Sequence, residues 1–423
     1  MEILLKYGRT AQRLPFPAGM RVSVLAPGRT AGSGRETDII RSALADPIGS
    51  PRLSRSVSPG QQVVIVTSDI TRPCPTARLL PHVLDELHQA GVADSEVTVV
   101  FGLGTHRPHT REEQEALVGP AVFRRVRCLD SDPADVEHVG TTRCGTPVDV
   151  FRPVRRADVR ILLGVIEYHY FAGYSGGLKA LVPGVCSEAT IQANHRRMTE
   201  PGAITGNLEH NPVRDDIDEA GELIGAQFLL NVVLDEEKRI VRVVAGDPRL
   251  AHREGCAALD AFGRATVAEP ADLVVVSAGG SPKDINLYQA QKALDNARHV
   301  VRAGGIILLV AECPEGLGHH TFEEWMQDPG GPDAILTRIR REFVLGGHKA
   351  AAVAMTMKQA AIFLVSALPA DRARGMGFRP FTSVETALAA ALEANGPDPF
   401  VVVMPEGGSV LPVLAAPGGA PRR

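Results

Sequence analysis

Aromatic side chains are scarce in this chain. One Trp (Trp325), five Tyr and 13 Phe make up 4% of 423 residues, so its cores must be built mainly from aliphatic and small residues. Paired cysteines are also missing. Cys74, Cys128, Cys144, Cys186, Cys256 and Cys313 form no C-x-x-C and no cluster, which removes the usual spacing of a thiolate zinc or iron–sulfur site. No apolar run approaches the ~18 residues of a membrane-spanning helix. The opening residues, MEILLKYGRT, make no charged-then-apolar leader, so export is not expected, and scattered thiols fit a reducing cytoplasm. Nor is either charge in excess. The 45 Lys+Arg against 49 Asp+Glu leave a net charge of -4, which gives no electrostatic reason to expect nucleic acid or an anionic membrane as a partner.

What is present is Gly (42) and Pro (31), which suits many short turns, and a repeated strand-then-helix pattern. Residues 62–67 (QVVIVT), 96–101 (EVTVVF) and 160–166 (RILLGVI) read as buried strands. In 75–89, Leu79, Leu80, Val83, Leu84 and Leu87 recur at helical spacing. A second series begins near 270: strands at 273–277, 305–311, 361–366 and 400–404, with helices at 287–297, 333–342, 348–359 and 382–394. This alternation predicts an α/β protein of two domains with mainly parallel sheets and an active-site cleft between them. The boundary is placed at about 268, giving domains 1–268 and 269–405. The Pro/Gly-rich end of the 406–423 tail is expected to fray.

Ligands of open α/β sheets bind beyond the carboxyl ends of the strands, and unusual polar clusters follow three predicted strands. In Ser68-Asp69-Ile70-Thr71-Arg72-Pro73, Arg72 offers a planar fork for carboxylate or phosphate and Asp69 an acceptor for sugar hydroxyls. A solvated turn would look the same. Gly102-Leu103-Gly104-Thr105-His106-Arg107 starts like a dinucleotide fingerprint but carries Arg107 at the third Gly position. His106 is an acid/base candidate or a capping histidine. The stretch 167–184, EYHYFAGYSGGLKALVPG, holds three of the five Tyr. Ser175, Gly176 and Gly177 ahead of Lys179 read as a phosphate-cradling nest without Walker A spacing. Lys179 can be a phosphate contact, a nucleophile or an attachment amine. His195, after Asn194, is a lone metal-ligand candidate or a bland core histidine. In 284–294, DINLYQAQKAL, Tyr288 and Lys292 share a helix face with Gln289 adjacent.

Taken in order, SDITRP (68–73), GTHRP (104–108), HYFAGYSGGLKALVPG (169–184), NH (194–195) and DINLYQAQKAL (284–294) resemble the motifs of the nickel-dependent lactate racemase (LarA-like) family, from about residue 60 to 405. The resemblance implies a nickel-pincer nucleotide, a pyridinium mononucleotide with two sulfur-bearing arms holding nickel. It would be joined to Lys179 through a thioamide, with His195 as the imidazole ligand to nickel. Asp69 and Ser175–Gly177 would hold its ribose and phosphate. It also implies racemisation or epimerisation of a 2-hydroxy acid. Hydride would leave C2 for the cofactor, a 2-keto acid would form, and hydride would return to the other face. His106 and His169 would serve as the two acid/bases, and Arg72, Lys292, Gln289 and Tyr288 would bind the substrate. Separate maturation enzymes would make the cofactor. An NAD-dependent 2-hydroxy acid dehydrogenase and a noncatalytic ligand-binding relative are the alternatives; the broken glycine fingerprint disfavours the first, and retention of Lys179 and all three His the second.

The lactate-specific members carry a Trp near the substrate methyl in the region of about 345–350. Here that segment reads Leu345-Gly346-Gly347-His348-Lys349-Ala350. Loss of that apolar wall, with His348 and Lys349 gained, suggests a larger or more polar side group, an acidic one included, unless both face solvent. A hinge near 268 is expected to close the lobes over the ligand.

Overall fold

Val63–Ser68 is apolar, β-branched and buried along nearly its whole length, and it pairs parallel with Val97–Gly102 on one side and with Val159–Val165 on the other. A strand buried on both faces gains most from parallel neighbours covered by helices. In the computed structural model of the protein, which describes residues 2–415 apart from 18, 27, 29–33 and 236, these three strands are the middle of a six-stranded sheet. Its order is Ile240–Gly246, Phe228–Leu234, Val159–Val165, Val63–Ser68, Val97–Gly102, Arg127–Asp130. Only Ile240–Gly246 runs antiparallel. Helix Thr76–Gln89 turns Leu79, Leu80, Val83, Leu84 and Leu87 onto the sheet, the face expected from their spacing.

A second sheet has the order Arg379–Phe381, Ala360–Val365, Val301–Val310, Ala271–Ser277, Val401–Met404, Val22–Val24, all parallel. Its strands Ala271–Ser277, Val301–Val310, Ala360–Val365 and Val401–Met404 and its helices Leu287–Arg298, Gly331–Arg341, Gly347–Gln359 and Val384–Asn395 fall within a few residues of the expected spans, while the edge strands Arg379–Phe381 and Val22–Val24 were not expected. The mainly parallel α/β class read from the sequence is the one observed.

The chain divides into two compact units, Thr30–Ala261 and Phe262–Arg423 with Met1–Arg29. The expected split into 1–268 and 269–405 therefore differs at both ends of the chain. Residues near the N-terminus join the second unit because Val22–Val24 pairs with Val401–Met404, a contact so distant in sequence that no local pattern announces it. The hairpin Glu2–Tyr7/Thr10–Pro15 buries Leu5 and Leu14 in the same core. At the other end, Leu411–Leu414 is not tail but a strand parallel to Arg264–Val267. The fraying expected at the C-terminus falls on 416–423, outside the described residues. Among those described, no helix is long and apolar enough to cross a membrane.

Asp284, first residue of the DINLYQAQKAL motif, ties this discontinuous unit together. It is fully buried and accepts the Gly8 amide at 2.7 Å and the Glu312 amide at 3.1 Å. Asp284→Ala should leave two buried N–H groups without partners, each costing about 1–3 kcal/mol. Calorimetry should show a lowered unfolding temperature, largely recovered in Asp284→Asn, which keeps an acceptor. An Ala variant that melts like the parent would remove this anchor from the account.

Candidate functional site

Because three neighbouring strands run parallel, the segments that follow them emerge at one edge of the sheet. Ser68 pairs with Gly102, and Val66 with Leu162. The loops starting at Asp69, Leu103 and Ile166 are thus brought together by strand register, as the rule for open α/β sheets requires.

The first two loops meet in a direct contact. His106 Nδ1–H donates to Asp69 Oδ2 at 2.6 Å, and the Thr71 hydroxyl donates to Asp69 Oδ1 at 2.8 Å. Burial would raise the Asp69 pKa, but the bond from His106, with help from Thr71 and the Arg72 charge, outweighs it and holds the carboxyl below its ordinary range. Asp69 therefore orients His106. The same hydrogen bond sets the tautomer that a neutral imidazole takes here, with the lone pair on Nε2.

A further histidine, unremarked in the sequence, fastens this arrangement. His109 Nδ1–H donates to Asp130 at 2.7 Å, while its Nε2 accepts the Ile70 amide at 3.1 Å. His109 thus clips the Asp69 loop to strand Arg127–Asp130. The partial G-x-G has a packing explanation: Gly104 N–H donates to Gly184 O at 3.0 Å, and a Cβ on Gly102 would lie 3.1 Å from the Gly184 backbone. The glycines let this loop lie against the 183–184 turn.

The third loop folds back as the short hairpin Tyr168–His169/Gly173–Tyr174. Tyr168 and Tyr174 both donate to Asp260, at 3.0 and 2.7 Å. Gly176 and Gly177 have φ of +72° and +62°, and a Cβ on them would meet Asn231 Oδ1 at 2.5 Å and the His252 ring at 2.7 Å. Only glycine fits there. The expected phosphate nest is turned inward, however. The Ser175 hydroxyl donates to Val165 O at 2.9 Å and accepts the Glu167 amide at 2.8 Å, and the Gly177 amide donates to Asn231 Oδ1 at 2.8 Å. These donors build the loop rather than face a ligand.

His169 and Lys179 sit in a cationic cluster. Burial pushes the His169 pKa well below 6.5, followed by the charges of Lys179, Arg72, His195 and Arg214. Burial, then Arg72 and Arg214, likewise pushes Lys179 well below 10.5. Both shifts have the same sense: the site disfavours the charged ammonium and the charged imidazolium. The Ala172 amide donates to His169 Nδ1 at 3.3 Å, and His169 packs edge-on against Phe171 at 4.5 Å. Arg214 is the member of the cluster that sequence reasoning missed. It lies on helix Pro212–Ile224, fully buried, and donates to Ala172 O at 3.2 Å and to Tyr174 O. Its one sequence signal is the Arg214/Asp218 pair, spaced one turn apart on a helix that buries both. His195 ends helix Glu188–His195, is buried, and packs edge-on against Phe171 at 4.9 Å.

The remaining expected residues lie in the second unit. Tyr288 and Gln289 are half-buried and Lys292 is exposed, on the first turns of helix Leu287–Arg298, whose start is capped by Asn286. His348 and Lys349 do not face solvent; each is 8% exposed. Lys349 donates to Tyr288 O at 2.8 Å and lies 4.0 Å over the Tyr288 ring, and His348 Nδ1 accepts the Gly346 amide at 3.1 Å. An indole from elsewhere in the sequence packs against this segment. Trp325, on helix His320–Met326, packs so closely on Gly347 that an added Cβ would lie 2.7 Å from its ring.

Behind the glycine pair, His252 Nε2–H donates to Ser175 O at 2.9 Å. Burial, then Arg214, holds its pKa down to about 3 from an ordinary 6.5, with the Ser175 bond opposing. The unfolded chain binds this proton near 6.5 and the folded one only near 3. Stability from the neutral ring is thus complete above about 6.5 and is lost as pH falls towards about 3. His169 acts with the same sign. The unfolding temperature of this unit should drop across that window, with a shallower slope in His252→Gln; an unchanged slope would show that this ring does not titrate as described.

Comparison with known proteins agrees with the geometry. Residues 7–206 match the lactate racemase N-terminal domain and 266–412 the lactate racemase C-terminal domain. The chain is 33% identical over 425 residues to a lactate racemase of Thermoanaerobacterium thermosaccharolyticum, covering 97% of this chain and 99% of that protein. It is 31% identical over 407 residues to a lactate racemase of Lactiplantibacillus plantarum, covering 93% and 94%. The structure of the lactate racemase apoprotein from T. thermosaccharolyticum superposes with a TM-score of 0.88 at 30% identity, covering 97% of this chain and all of that one. A Thermotoga maritima protein shares the fold, with a TM-score of 0.63 at 20% identity. From the sequence and structural agreement along nearly its whole length, this chain belongs to the lactate racemase family.

Proposed function

We propose that the protein is an isomerase, a racemase or epimerase of a 2-hydroxy acid, that works with a nickel-pincer nucleotide carried on Lys179. Family membership supports the reaction class. The observation that carries the reading furthest is the buried Lys179 amine, its charged form disfavoured by burial and by Arg72, in one cluster with His169, His195 and Arg72.

The residues fit such a group. A thioamide link needs an amine with a free electron pair, a form that burial and two neighbouring guanidinium groups favour at Lys179. Among the described residues no three His, Cys, Asp or Glu side chains gather as a metal centre. His195 would then be the protein's imidazole donor to nickel, and the sulfur-bearing cofactor would bring the remaining donors. When bound, this cofactor supplies a hydride acceptor and donor for C2 of the substrate.

The protein's own groups handle protons and orientation. The hydroxyl of a 2-hydroxy acid must lose a proton as its C2–H bond breaks, or the 2-keto acid cannot form. His106 Nε2, backed by Asp69 at Nδ1, accepts that proton on one face. His169 serves the other face. Its depressed pKa makes it an efficient proton donor to the carbonyl oxygen when hydrogen returns to C2. Arg72 binds the substrate carboxylate, and the positive potential of Arg72 and Arg214 favours anionic ligands. From the second unit we assign Lys292, Gln289 and Tyr288 to the substrate on the family resemblance. The buried His348 and Lys349 bear on side-group selection. With Trp325 packed on Gly347, a small apolar side group remains compatible with this chain.

Two measurements test the reading. Protein matured with the cofactor pathway should carry nickel and a large mass addition on the Lys179 peptide. Lys179→Ala should lose the adduct and at least a thousandfold (about 4 kcal/mol of transition-state stabilisation) in racemisation; an active Ala variant would end the proposal. Substrate deuterated at C2 and racemised in ordinary water should keep its label in the inverted product. Washout by solvent hydrogen would mean proton abstraction at C2 instead of hydride transfer.

A further inference from the structure

Most of the site's hydrogen bonds belong to the loops that carry it. One chain of bonds comes from further inside and ends on His195. Asp216, on helix Pro212–Ile224, has no exposed surface. It accepts the Thr142 hydroxyl at 2.6 Å, the Thr146 hydroxyl at 2.9 Å and Asn194 Nδ2 at 2.7 Å. Thr142 Oγ1 itself accepts the Thr146 amide at 3.2 Å, so its own proton points to Asp216. Asn194 Nδ2 also donates to Val213 O at 3.1 Å.

These partners decide which way round the Asn194 amide lies. A carboxylate and a backbone carbonyl only accept, so both must face its NH2 group. The carbonyl oxygen Oδ1 is then left towards His195 Nδ1, 3.0 Å away. An amide oxygen also only accepts, so His195 must carry its proton on Nδ1. In a neutral imidazole that places the lone pair on Nε2, the atom a metal needs.

We propose that Asp216 is a positioning residue which, through the Asn194 amide, fixes His195 in the Nδ1–H form that presents Nε2 to a metal. The inference rests on the reading of His195 as the nickel ligand. The Asn194-His195 pair of the sequence motif then has a physical reason. Asn is required because one face of the side chain must donate and the other accept; Asp would set two carboxylates against each other, and Leu would do neither.

The test begins with protein lacking cofactor, labelled with 15N-histidine. Long-range 1H–15N correlations, with His195 identified by loss of its signals in His195→Gln, should show Nδ1 protonated and Nε2 bare. A proton on Nε2 overturns the inference, whatever any variant does. In Asp216→Ala the Asn194 amide loses its carboxylate acceptor and can turn over, so the tautomers of His195 should mix. After maturation, that variant should lose nickel to a chelator about 10–100-fold more readily than the parent, as disruption of an outer-shell partner does. Asp216→Asn can turn its carbonyl oxygen to Asn194 Nδ2 and the Thr146 hydroxyl, and should keep His195 in the Nδ1–H form with parental nickel retention. An Asp216→Ala protein with parental tautomer and parental nickel retention also overturns the proposal. If His195→Gln itself keeps nickel, the assignment of the ligand fails, while the tautomer measurement still decides the role of Asp216.

Discussion

Parallel register among Val63–Ser68, Val97–Gly102 and Val159–Val165 is the constraint on which the rest of this unit depends. Each strand is too apolar to sit anywhere but in a covered sheet, and parallel pairing puts all three carboxyl ends on the same side. The loops they release must satisfy their own polar groups before they can present any to a ligand. Most of the hydrogen bonds at the site do that work: Asn231 holds Gly177, Asp260 holds two tyrosines, and His109 holds Ile70. Because these partners lie outside the three loops or between them, displacing one loop leaves buried groups of another unpaired.

Burial then has a chemical consequence. Lys179 and His169 lie near Arg72 and Arg214, and a charged ammonium or imidazolium there would lack solvent and face like charge. Burial and like charge therefore shift both bases towards their uncharged forms. Asp69 takes the opposite course. As the buried carboxylate it is held ionised by His106, Thr71 and Arg72, and so keeps one ring oriented.

How far this was legible in the sequence depends on the range of the interaction. Short apolar runs and the helical spacing of Leu79 to Leu87 report local structure, and the strands and helices they marked are present. Motif residues carried the family resemblance because their order survives in a linear reading. Pairings across the chain left no such trace. Nothing around Val22–Val24 points to Val401–Met404, or around Leu411–Leu414 to Arg264–Val267, and the domain limits were misplaced accordingly. Ser175, Gly176 and Gly177 were recognisable as a special backbone, but not the side on which its donors would be used up. Trp325 shows the same limit. Its absence from 345–350 was read as an absent aromatic wall, although a different helix brings the indole against Gly347.

The buried polar residues were the hardest to read, since an Asp, Thr or Arg in a sequence looks equally suited to solvent. Asp216 and Arg214 share helix Pro212–Ile224 with Val213, Ile217, Ala220 and Ile224 on its buried surface. That surface is expensive to build, because each polar group must find partners or leave a desolvated charge. Simple packing would be served better by aliphatic side chains. What the polar groups add is direction: Arg214 grips the carbonyls of the hairpin behind His169, and Asp216 turns an amide that turns an imidazole. A helix that places Arg214 and Asp216 on its buried surface, where they hold two different histidine-bearing segments, carries information in its polar positions that its hydrophobic pattern cannot.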